Sequence, residues 1–151
     1  MNAYTINKIN TPTVKNEGIA REWSLCAYHG ICRTSHDHVP YDKGSDIDLA
    51  DKHISVKASR FSLMSGSFCK DCTTFDEIWN RFESNTHSNI FAYITVAYKV
   101  YEMNLAEFKK FVYKFCILEH ESEKNGGYLK IKCRKESEKM LNWLENMAQV
   151  A

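Results

Sequence analysis

Residues 44–57, Gly-Ser-Asp-Ile-Asp-Leu-Ala-Asp-Lys-His-Ile-Ser-Val-Lys, constrain the chain more than any other stretch. They read as a β-hairpin. Gly44 and Ser45 lead into a short strand carrying Asp46 and Asp48, Ala50-Asp51-Lys52 turns the chain, and a second strand runs from His53 to Lys57. Alternation on that strand sends Ile54 and Val56 towards a core. Ser55 and Lys57 go to the opposite face, together with a carboxylate from the first strand. An acid and a lysine thus stand on neighbouring strands, and a basic, hydroxyl-rich stretch follows them. These are the ingredients of a metal and phosphate site.

The flanking segments supply the other layers. Residues 1–13 read as a loose N-terminal arm closed by Pro12. From Val14 to about Gly30, Ile19, Trp23, Cys26 and Gly30 recur at helical steps, with Thr13 or Asn16 as the cap. Past Lys57, Phe61 and Leu63 alternate with Arg60 and Ser62, so the second strand is expected to run on until Ser65-Gly66-Ser67. Phe75 to Glu83 reads as a short helix, and Ile90 to Met103 as two strands or one bent strand. Asn104 caps a helix to about Leu118, Tyr128 to Cys133 alternates as a strand, and Ser137 to Met147 closes the chain as a helix. The expected fold class is α/β, with a central mixed β-sheet flanked by helices in a single domain over residues 1–151.

A chain of 151 residues with 44% hydrophobic and 26% charged residues has the profile of a globular protein with a sizeable core. It contains no apolar run of the ~18 residues that a membrane span needs, and its first residues lack an apolar signal segment. No membrane partner and a cytoplasmic location are therefore expected, with the six cysteines as free thiols in a reducing compartment. The formal net charge of +1 argues against a DNA-coating protein. It leaves room for an enzyme whose basic residues line one cleft.

Gly44-Ser-Asp46 followed by Ser55-Val-Lys57 resembles the PD-(D/E)XK nuclease superfamily, which includes many restriction endonucleases. That family places an Asp on one strand and an acid-X-Lys tripeptide on the next. Here Pro40 is not adjacent to Asp46, and Ser55 holds the acidic position, a Ser-X-Lys variant of the motif. The order of elements resembles the family's αβββαβ core. The resemblance implies a Mg²⁺-dependent DNA endonuclease, with Mn²⁺ as a substitute, working as a homodimer to cut both strands. Asp46 and the Val56 carbonyl would bind the metal, and Lys57 would position or polarise the attacking water and hold a phosphate oxygen. Alternatives are a junction-resolvase or phage-type nuclease on the same core, and a catalytically inactive DNA-binding relative in which Ser55 marks loss of the site.

Because Ser55 is a weak ligand, a further acid is expected. Glu17 fits the family's spacing ahead of Ala20, whereas a helical wheel favours Glu22. Asp71, Asp76 and Glu77 are further candidates, and Asp48 and Asp51 are backups. Arg60, Ser62, Ser65 and Lys70 are the candidates for contacting nucleic acid. Cys69-Lys-Asp-Cys72 is a lone C-x-x-C, which lacks the second tight pair of a structural zinc site.

Overall fold

The first helix, α1 (Glu17–Tyr28), begins where the Asn16 side chain accepts the N–H groups of Gly18 and Ile19 at 2.8 and 3.2 Å. The computed structural model describes residues 1–10, 16–31, 46–63, 71–120 and 128–150. Within these ranges the chain is α/β, with four helices and eight strands, and falls into two compact units. The first unit comprises Met1–Ser59, His87–Phe108 and Glu136–Ala151, and the second Arg60–Thr86 and Lys109–Lys135.

The first unit is built on a mixed five-stranded sheet. Its strands are β1 (Asn2–Thr5), β2 (Ile47–Asp48), β3 (His53–Ala58), β5 (Ile90–Ile94) and β6 (Lys99–Met103), ordered β1-β6-β5-β3-β2. Only β3 and β5 run parallel, paired from Ile54↔Ile90 to Ala58↔Ile94, and the other neighbours are antiparallel. The register separates two faces. Ile47, Ile54, Val56, Ala92, Ile94 and Val100 share one, where Leu25 and Cys26 of α1 complete an apolar cluster. Ser55, Lys57, Phe91, Tyr93 and Tyr101 share the other. There Phe108 stacks on Phe91 with centroids 4.4 Å apart, and Glu145 of α4 (Glu138–Val150) takes the Lys99 ammonium and the Tyr101 hydroxyl.

The second unit holds β4 (Ser62–Leu63), β7 (Cys116–His120) and β8 (Leu129–Cys133) in an antiparallel sheet ordered β4-β8-β7. Its helix α2 (Phe75–Asn85) starts at Thr74, whose hydroxyl accepts the Glu77 N–H at 3.2 Å. Ile78, Trp79, Phe111, Val112 and Ile131 are fully buried in this unit. Helix α3 (Leu105–Phe115) starts in the first unit and ends in the second.

Three expectations need correction. Residues 2–5 are not part of a loose arm but form the edge strand β1. They pair with β6 over Asn2↔Glu102 to Thr5↔Lys99, while Tyr4 stacks on Tyr28 and donates its hydroxyl to Glu102. The strand through Lys57 does not run on to residue 63. It ends at Ala58, Arg60 takes a φ of 64°, and Ser62–Leu63 belongs to the other sheet. The helix from residue 105 stops at Phe115 rather than Leu118, and Cys116–His120 pairs with β8.

Candidate active site

Asp46 lies immediately ahead of β2, and its N–H donates to the Ile54 carbonyl at 2.9 Å. One of its carboxylate oxygens accepts the Val56 N–H at 2.7 Å. The pairing of β2 with β3 stops at Ile47↔Ile54, so this side chain takes the amide that a longer β2 would have bonded. The N–H and C=O of one strand residue face the same edge. The Val56 carbonyl therefore faces the edge where the Asp46 carboxylate sits. Lys57 comes next on β3, opposite Tyr93 on β5. Burial pushes the Lys57 ammonium below the ordinary lysine range, and the Asp46 carboxylate opposes that shift. Ser55 shares the Lys57 face and is buried. Asp46 thus stands beside Val56 and Lys57 at one end of the hairpin.

The turn of that hairpin is held from outside. The Asn89 side chain accepts the His53 N–H at 2.8 Å and donates to the Asp51 carbonyl at 3.0 Å, and its own N–H donates to the His53 carbonyl at 3.0 Å. Asp48 pairs with His53 at 2.8 Å. The Asp48 carboxylate therefore has a local partner in the hairpin, and Asp51 contributes its backbone carbonyl.

Glu17 is an exposed residue at the start of α1, 3.8 Å from the Lys8 ammonium. The apolar side of α1 packs on the Ile54 face of the sheet, whereas Ser55 and Lys57 occupy the other. Glu22 is half-buried on the same helix. In the second unit Asp71 pairs with Arg81 at 2.9 Å, Asp76 accepts the Tyr113 hydroxyl at 2.5 Å, and Glu77 accepts the Thr73 and Thr74 hydroxyls at the start of α2. Arg60 and Ser62 are exposed residues of that unit, and Ser65 and Lys70 lie outside the described residues. Cys26, Cys72, Cys116 and Cys133 are buried free thiols, and Cys32 and Cys69 lie outside the described residues.

Sequence reasoning missed Tyr93 and Glu136. The Tyr93 hydroxyl donates to Glu136 at 3.4 Å, and the same carboxylate accepts the Val96 N–H at 3.2 Å. Glu136 in turn donates its N–H to the Ser59 hydroxyl at 3.1 Å. These residues lie far apart in sequence, and no motif links them.

Among the described residues no group of three or more His, Cys, Asp or Glu side chains could hold a metal ion. Asp46 and Val56 offer a carboxylate and a carbonyl, both hard oxygen donors. That set fits Mg²⁺, which usually takes one or two carboxylates and leaves its other positions to water and phosphate oxygens. It does not fit zinc, which prefers four nitrogen or sulfur ligands. No helix is long and apolar enough to cross a membrane among the described residues. No protein-family model, curated protein or solved structure matches this chain.

Proposed function

We propose that the chain is a Mg²⁺-dependent DNA endonuclease with a restriction-endonuclease-like core. The observation that carries this reading is the meeting of the Asp46 carboxylate, the Val56 carbonyl edge and a half-buried Lys57 at one hairpin end. The parallel β3–β5 pair, with helices on both sheet faces, agrees with such a core. Asp46 and Val56 would hold the metal ion, which when bound supplies positive charge to the phosphate and acidifies water. The Val56 N–H fixes the Asp46 carboxylate in place before any ligand arrives, so little side-chain freedom is lost on binding. Lys57 donates to a phosphate oxygen and orients the water that attacks phosphorus. With Ser55 in the acidic position, the site carries low negative charge and binds the metal weakly until phosphate oxygens join it. One such site per chain cuts one strand, so cutting a duplex calls for a homodimer.

The test is plasmid cleavage with Mg²⁺ or Mn²⁺, beside calorimetric metal titration. Asp46→Ala should abolish cleavage and weaken metal binding. Lys57→Ala should slow single-turnover cleavage by at least about 100-fold, the usual scale for a positioned proton-transfer group, while metal binding persists. Ser55→Ala should be milder than either. Cleavage that survives excess EDTA, or Lys57→Ala cutting at the wild-type rate, sinks the proposal. A folded wild type that binds duplex but never cuts it would favour the inactive DNA-binding relative.

A further inference from the structure

The first unit also contains a cationic cluster whose residues have no assigned part in the reaction. Tyr98 closes the turn between β5 and β6, with its N–H on the Thr95 carbonyl at 2.9 Å and its carbonyl accepting the Ile6 N–H at 3.0 Å. Its φ is 63°, a conformation that favours glycine. The turn nevertheless carries a large aromatic residue that is only 8% exposed. Arg21, on the second turn of α1 and only 7% exposed, sets its guanidinium carbon 6.0 Å from the Tyr98 ring centroid. The Lys8 ammonium lies 5.9 Å from the same centroid.

Two of these groups are left unsatisfied. The Arg21 Nε and the Tyr98 hydroxyl are both buried without a hydrogen-bond partner among the described residues. Buried polar groups are nearly always paired, and a buried guanidinium normally meets a carboxylate. Stacking on Tyr98 compensates part of the charge, but at 6.0 Å it is at the outer limit of a cation–π contact and gives the N–H no acceptor. The nearby carboxylate of Glu17 engages Lys8 at 3.8 Å, with both side chains more than half exposed, so that pair exchanges readily.

We propose that Arg21, Tyr98 and Lys8 form a binding site for a phosphate-class oxyanion. One tetrahedral oxyanion presents several acceptors on one centre. It takes the Arg21 N–H and the Tyr98 O–H together, and the Lys8 ammonium adds charge from the rim. The site stands on these contacts alone. Only the source of the phosphate, a nucleic-acid backbone, rests on the nuclease reading.

Thermal melts of the whole chain in EDTA, in potassium phosphate against potassium chloride at equal ionic strength, test the site. Calorimetric titration of inorganic phosphate accompanies them. Phosphate stabilises many proteins by exclusion from their surfaces, so the readout is wild type minus variant. Arg21→Met should weaken phosphate binding about tenfold or more, the scale of a lost charge-assisted bond, and Tyr98→Phe should weaken it several-fold. Tyr98→Phe removes only an unpaired hydroxyl, so it carries the test if Arg21→Met does not fold. Equal phosphate shifts in wild type and variants, or no binding to wild type, overturn the proposal. A duplex oligonucleotide that displaces phosphate identifies the backbone as the source. One that does not leaves the site to small phosphate-bearing ligands. Loss of the nuclease reading through the Lys57 test leaves the phosphate titration unaffected.

Discussion

A lysine ammonium drawn partly into the protein loses hydration, and a neighbouring carboxylate seldom repays it in full. At Lys57 burial outweighs the attraction of Asp46, since the balance lowers its proton affinity. A residue kept at such a cost is a candidate for function rather than for stability. Lys57→Met, of similar volume, should therefore raise the thermal midpoint at neutral pH in EDTA while abolishing cleavage. Each 1 kcal/mol gained corresponds to about 2–4 °C in a chain of this size. A midpoint below wild type would show that the Asp46 attraction dominates. Asp46 differs, because its carboxylate closes the amide of Val56, so Asp46→Ala carries a structural cost beside the functional one.

At the scale of elements, Asn89 is the piece that sets β3 against β5. Its side chain bonds the Asp51 carbonyl in the β2–β3 turn and the His53 N–H at the start of β3. Asn89→Ala removes two such bonds at an exposed position and should cost about 1–2 kcal/mol, read as a lower urea midpoint at unchanged slope. Helix α4 is tied to the sheet by Glu145, whose carboxyl is held below the usual range first by the Lys99 ammonium and then by the Tyr101 hydroxyl. A carboxyl with a depressed folded-state pKa contributes in full above its unfolded value, about 4.3, and loses the contribution as pH falls through the folded value. The stability gap between wild type and Glu145→Gln should therefore be constant from pH 8 to 6 and close on acidification below about pH 4. A gap that persists at pH 3 would assign it to packing instead. Elements with long apolar periods, such as α1, α3 and the Ile90–Met103 strands, were legible in the sequence because burial follows the period. The hairpin with Asp46 and Lys57 was legible for the same reason. Strand β1 was not, since four residues become an edge strand only by pairing with β6. Nor was β7, which follows α3 with no glycine or proline between them. The break after Ala58 was hidden because the left-handed position there is Arg60. The family's spacing points to Glu17, and only the sheet register separates α1's face from that of Lys57.

For the whole molecule, 20 Lys and Arg side chains against 19 Asp and Glu leave almost no net field to draw in a polyanion. Binding to DNA would then rest on where the cations sit rather than on net charge. Lys57 and the Lys8–Arg21 pair are the ones that the two proposals assign. Each phosphate neutralised on duplex DNA adds about −0.9 to the slope of log affinity against log salt. Three contacts per chain therefore give a slope of roughly −3 for one chain and about twice that for a dimer on one duplex. Duplex binding should be measured in EDTA, so that no cleavage intervenes, from low to physiological salt. Light scattering on the same sample gives the number of chains per complex. Arg21→Met should flatten the slope by about one unit per chain and weaken all duplexes alike. A slope near −10 from a single chain would mean a basic surface much wider than these three cations. No salt dependence at all would remove phosphate contacts, and with them the nuclease reading of Lys57.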